Sequence, residues 1–237
     1  MAQLDEKQGP KRMPKALRVL LYVVAFGLLI AAGVMLYFAY ADDLRFAEDQ
    51  KELSAALPTT ATAVSTATVS PTATLDFTGW EQEDAAYWAS LKTGGAFARI
   101  VVKGTGIDDI AVKGAGTDQL AVAPGWIVQT DMPGPEGNCA ISGHRVTHGH
   151  PFRNLDRAGI GDTIYLYSPY RRYRYVIDRI LRVTPDHTEV IAYTKVSHLT
   201  FTTCDPPGRA VKRLVVQARL VEVVRLTGPA AGTVPGS

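Results

Sequence analysis

The chain has 237 residues, 46% of them hydrophobic, 8% aromatic and 20% charged, with 21 glycines and 14 prolines. That balance excludes wholesale disorder, a collagen repeat and a many-spanning membrane protein, and it fits one or two domains. Lys and Arg total 25 against 23 for Asp and Glu, so no polycation demands nucleic acid, and two cysteines exclude a disulfide-dense scaffold or a four-thiolate zinc site.

The first 18 residues form a basic segment. Lys7, Lys11, Arg12, Lys15 and Arg18 lie there against Asp5 and Glu6 alone. From Val19 to Ala41 no charged residue occurs. Those residues rise to roughly 34 Å as a helix, enough to cross a hydrocarbon core of about 30 Å. Basic residues precede the run and Asp42 and Asp43 follow it. The positive-inside rule therefore predicts a transmembrane anchor at 19–41, with 1–18 cytoplasmic and the rest of the chain extracytoplasmic. The alternative is a signal peptide cleaved after Ala39-Tyr40-Ala41, but an apolar signal region runs only about 7–15 residues.

Residues 42–79 read as an extracytoplasmic stalk. Its central part, 54–75, is SAALPTTATAVSTATVSPTATL, without charge, aromatic residue or periodicity. Such a tract buries too little apolar surface to offset backbone entropy. Composition changes at Gly79-Trp80, and 80–224 is long enough for one domain with its own core. Residues 225–237 read as a disordered tail.

Within the domain, Glu81–Lys92 has acids first, Lys last and an apolar side, which predicts a short helix. Strands are predicted at Ala96–Val102, Ile107–Val112, Asn138–Ser142, Thr163–Tyr167, Tyr173–Val183, Thr200–Thr203 and Arg213–Val224. Ser168-Pro169-Tyr170-Arg171 reads as a hairpin turn, and Pro151–Arg157 as one helical turn. Many short strands and few helices predict a mainly β, closed or nearly closed barrel. The run Tyr170-Arg171-Arg172-Tyr173-Arg174-Tyr175 alternates, which predicts a polar, solvated strand face.

Three chemically capable side chains fall at predicted strand–loop junctions. Cys204 ends an apolar run just before Asp205-Pro206-Pro207-Gly208. A thiol presented there is a candidate nucleophile if a base or cation raises its thiolate fraction. His144 follows Ile141-Ser142-Gly143, and Arg213 opens a strand nine residues after Cys204. These supply a candidate acid/base and a candidate donor for a developing oxyanion.

These residues sit in segments that resemble the sortase family. Thr200-Phe201-Thr202-Thr203-Cys204 is similar to the sortase T-L-x-T-C signature, with Phe201 in the Leu position. Gly137-Asn138-Cys139-Ala140-Ile141-Ser142-Gly143-His144-Arg145 resembles the segment holding the sortase histidine. Arg213-Leu214-Val215-Val216-Gln217-Ala218 resembles the strand that opens with the sortase arginine. Arg99–Gly106 lacks the proline of the I-P-K-type strand common near the start of such domains. The resemblance spans roughly 95–224. It implies an eight-stranded sortase barrel with short helices and a cysteine transpeptidase acting without a cofactor. Such an enzyme cleaves an LPxTG-type sorting signal on secreted proteins. It then transfers the acyl group to an amine of a peptidoglycan precursor or pilin. By the same resemblance Cys204 is the nucleophile, His144 the acid/base, Arg213 the substrate- and oxyanion-binding guanidinium, and Thr203 a supporting residue.

Two other readings compete. Cys139 and Cys204 could form a disulfide closing a loop of about 66 residues, worth roughly 4 kcal/mol in the chain-entropy model. Alternatively, His144, His148 and His150 have a metal-like spacing, which would make this an extracellular zinc-binding β module.

Overall fold

The computed structural model describes residues 14–57 and 75–226. The predicted 1–13 part of the basic segment, the Thr-rich tract 58–74 and the tail 227–237 lie outside the described residues. Helix α1 spans Lys15–Ala56 and includes the apolar run, which is long and apolar enough to be a candidate membrane span. The chain divides into two compact units, residues 1–41 and 42–237.

In the second unit, eight strands among the described residues close into a barrel. They are β1 Ala96–Val102, β2 Ile107–Lys113, β3 Gly125–Trp126, β4 Asn138–Ser142, β5 Thr163–Tyr167, β6 Arg171–Val183, β7 His198–Asp205 and β8 Lys212–Arg225. Their order round the barrel is β1-β2-β3-β4-β7-β8-β6-β5. The β2–β3 and β4–β7 pairs are parallel and the remainder antiparallel. Closure leaves no unpaired sheet edge. Alternation along the strands directs Ile100, Ile141, Ile164, Leu166, Tyr173, Tyr175, Phe201, Leu214 and Val216 into one core. The short elements are α2 (Ala86–Ser90), preceded by a π-turn over Glu81–Ala85, and α3 (Thr117–Val122). Single 3₁₀ turns lie at Leu155–Arg157 and Thr188–Ile191. Lys113 Nζ donates to the carbonyls of Trp88, Ala89 and Leu91 at the end of α2, the cation placement a helix C-terminus favours.

Two sequence expectations need correction. The stalk was expected from residue 42, but 42–56 is helical and Phe46 and Leu57 are buried. Leu57 joins a small apolar cluster with Ala96 and Ile110. The Gln50 side chain both accepts from the Ile110 amide (2.6 Å) and donates to its carbonyl (3.1 Å). The segment carries one apolar side and polar groups that match a barrel strand, so it packs. On the far side of the undescribed tract, Leu75 bridges to Val223 and Phe77 lies against the core, so packing starts before residue 80.

The second correction concerns β6, whose Arg/Tyr run is not a solvated face. Tyr173 and Tyr175 are core residues. Arg171 is fully buried, paired with Asp84 (2.8 Å) and Glu83 (2.9 Å), and donates to the Asp76 and Thr78 carbonyls. Tyr173 also donates to Asp84 at 2.7 Å. Arg172 and Arg174 share Glu222 on β8. The cations are matched to carboxylates from other segments, a pairing that spacing along one strand cannot reveal.

Candidate active site

The register of two strand pairs assembles the site. In the parallel β4–β7 pair, Ser142 lies opposite Thr202. His144 and Cys204 each follow two residues later, at the same end of adjacent strands. In the antiparallel β7–β8 pair, Cys204 lies opposite Arg213. Directly opposite residues share a face, and Arg213 Nη1 donates to Cys204 Sγ at 2.9 Å. Along β7 the side chains of Leu199, Phe201 and Thr203 are buried, whereas Thr202 and Cys204 are partly exposed. The thiol therefore stands on the outer face of the barrel, at a rim, where a substrate can reach it. A guanidinium hydrogen-bonded to sulfur is also a ready donor to an oxyanion forming on the carbon that the sulfur attacks.

Thr203 points inward and donates from Oγ1 to the Gly143 carbonyl at 2.7 Å. The Gly143 amide in turn donates to the Thr202 carbonyl at 3.2 Å. Gly143 permits this approach because a Cβ there would lie 2.8 Å from the Phe152 ring. His144 is half-buried, and its carbonyl accepts from the Phe152 amide at 3.0 Å. Its imidazole stacks on that of His148, with centroids 4.8 Å apart and planes at 27°. Burial first, and then the neighbouring His148, hold the His144 pKa below its ordinary value.

The competing readings meet this geometry differently. Cys139 pairs with Leu199 across β4–β7 and faces the core, while Cys204 lies five residues further along β7. At about 3.3 Å per residue the two are about 16 Å apart, beyond the roughly 7 Å limit for a disulfide. Both thiols are free. Burial, with Asp131 nearby, pushes the Cys139 thiol pKa well up, so it remains an inert core group. The three histidines do not converge. His150 faces Asp43 at 3.5 Å and Arg153 at 3.4 Å rather than joining His144 and His148. Among the described residues no group of three or more His, Cys, Asp or Glu is arranged to hold a metal ion.

The site also includes residues to which the sequence assigned no role. Arg145, 3% exposed, reaches from the residue after His144 to Asp205, the residue after Cys204, at 2.6 Å. Asp205 also meets Arg182 at 3.1 Å. The available signal was the placement of opposite charges beside His144 and Cys204.

A family model for the sortase domain matches residues 100–221, more than half of the chain. The chain belongs to the sortase family. Among curated proteins it is 33% identical over 105 residues to sortase SrtE1 of Streptomyces coelicolor, a match covering 40% of this chain and 30% of that relative. The chain therefore matches less than a third of that relative's length. Among solved structures, the Clostridium perfringens sortase D5 transpeptidase superposes with a TM-score of 0.54 at 29% identity, over 60% of this chain and 88% of that one. Sortase E from Streptomyces avermitilis superposes with a TM-score of 0.53 at 29% identity, over 59% and 98%.

Proposed function

We propose that this sortase is a membrane-anchored cysteine transpeptidase acting on C-terminal LPxTG-like sorting signals outside the membrane. The observation that carries the reading is the Arg213–Cys204 contact at 2.9 Å, at the barrel end where His144 also emerges. In the first half-reaction the Cys204 thiolate attacks the scissile carbonyl carbon. The tetrahedral oxyanion is met by the Arg213 guanidinium. The C–N bond breaks as His144 gives its proton to the departing amine, leaving a thioester on Cys204. In the second half-reaction an amine of a peptidoglycan precursor or pilin attacks the thioester. His144 takes a proton from that amine, and the Cys204 thiolate departs. Because the same imidazole both gives and takes a proton, its lowered pKa favours the second role and limits the first. The apolar run at 19–41, flanked by basic residues before and acids after, supports one span with the N-terminus in the cytoplasm.

The test is a transpeptidation screen of the full chain with LPxTG-like and LAxTG-like peptides and a small amine acceptor, read by mass spectrometry. The reading expects an amide joining the peptide, cut after Thr, to the amine, absent in Cys204→Ala. Cleavage that persists in Cys204→Ala contradicts it.

A further inference from the structure

His144 and Cys204 stand on adjacent segments, and their separation depends on what ties those segments together. Two ties lie before the pair. The Gly143 amide bonds the Thr202 carbonyl (3.2 Å), and Thr203 Oγ1 bonds the Gly143 carbonyl (2.7 Å). A third lies beyond it. Arg145 Nη1 donates to the Cys204 carbonyl (3.3 Å) and to Asp205 Oδ1 (2.6 Å), while Nη2 meets Asp156 Oδ2 at 2.8 Å. His144 is thus bracketed by Gly143 and Arg145, both bonded to the Cys204 strand. Cys204 is bracketed by Thr203 and Asp205, both bonded to the His144 segment.

We propose that Arg145 is a positioning residue for the reaction: its buried guanidinium clamps the Cys204 carbonyl and the Asp205 carboxylate, fixing the separation of His144 and Cys204. This rests on the reading of those two residues as acid/base and nucleophile. The ties at Gly143 and Thr203 act on one side only, and glycine leaves the backbone entering His144 permissive. Past Arg145 the chain runs into exposed Val146 and Thr147, and past Asp205 into the Pro206–Gly208 turn. The bond from the Phe152 amide to the His144 carbonyl ties His144 to a residue whose ring packs on Phe201 of β7, on the side before Cys204, and so leaves the far side to Arg145. Arg145 is the side chain that spans the gap. It needs a planar fork, because three acceptors on two segments are met from one side chain, which a single ammonium point cannot reproduce. Arg182 holds the other oxygen of Asp205 and so aims the carboxylate at Arg145. A buried ion pair serving stability alone would need Asp156 and Asp205 but not the Cys204 carbonyl.

The test measures position apart from turnover. In the full chain carrying Cys139→Ala, the His144→Cys substitution puts a second thiol at position 144, and dibromobimane then bridges it to Cys204. Adding Arg145→Lys should slow bridging at least about tenfold, while single-site alkylation of Cys204 by iodoacetamide keeps its pH profile. With His144 present, Arg145→Lys should lower kcat by about 100-fold and change KM by less than about threefold. Should that variant fail to fold, Asp205→Asn keeps the guanidinium, removes the charge of one clamped acceptor on β7, and should slow bridging by about threefold. Unchanged bridging in a folded Arg145→Lys chain, or in folded Asp205→Asn where that substitute is needed, overturns the proposal. So does an alkylation profile shifted along with the rate. A parent enzyme that turns over no peptide defeats the transpeptidase reading instead, and the bridging rates still decide the clamp.

Discussion

Arg213 and Cys204 face each other across the β7–β8 pair, with Nη1 of the arginine 2.9 Å from the sulfur. The contact follows from register. The chain leaves β7 after Asp205, turns through Pro206–Val211 and re-enters at Lys212, which puts Arg213 opposite the thiol.

Arg213→Lys should therefore lose most activity although charge is kept. An ammonium cannot hold the sulfur and also present a second N–H toward an oxyanion in the same plane. Removing one oxyanion donor typically lowers kcat by about 100- to 1000-fold. Steady-state kinetics on a sorting-signal peptide reads this, with kcat falling more than KM rises. A variant within about threefold of wild type would show that the fork is not used.

Cys139 behaves as a core residue. It is fully buried among Ile141, Tyr175 and Leu199. Cys139→Ala should leave transpeptidation unchanged and reduce stability by about 1 kcal/mol, the loss of one small buried group. Urea denaturation beside the activity assay checks both parts.

How much of this was legible in the sequence differs by level. Strand positions were legible because alternation and turn residues are local. Ala96–Val102, Asn138–Ser142 and Thr163–Tyr167 match the strands as predicted. β3 was missed because two residues carry no period, and α3 because six residues give too short a pattern. Cys204, His144 and Arg213 were legible from motifs, but their convergence depends on the parallel β4–β7 pairing, a long-range register. Arg145 and Asp205 stayed silent because each is an ordinary charge until the other is opposite it. The helical stretch 42–56 was hidden by the Thr-rich tract that follows it, which made one stalk of two different segments.

After burial, His148 is the second cause that lowers the pKa of His144. The two rings stack, and a charge on His148 disfavours a charge on His144, so removing it should raise the His144 pKa. His148→Gln should move the limb of the pH–rate profile that belongs to His144 toward higher pH. In the proposed mechanism a protonated His144 expels the amine, so acylation near neutral pH should speed up. Burial, the larger cause, is retained, so the limb stays below the ordinary histidine value. A limb that moves to lower pH would contradict the assignment.

The helix segment after the apolar run supports the loop that carries His144. Gly149 lies under Phe46, with φ of +66° and no room for a Cβ against that ring. Phe46→Ala should reduce stability by about 2–4 kcal/mol and raise hydrogen exchange across 144–150 before β8 is affected. Exchange unchanged in that loop would show the contact to be energetically neutral.

If Cys204 carries the acyl group, intact-mass analysis of the full chain mixed with an LPxTG-like peptide, without an amine acceptor, will trap it. A covalent adduct with the mass of the peptide cut after Thr should appear, map to the peptide containing Cys204, and be released by hydroxylamine as a thioester is. An adduct on another residue, or peptide turnover in Cys204→Ala, would rule out Cys204 as the acyl carrier.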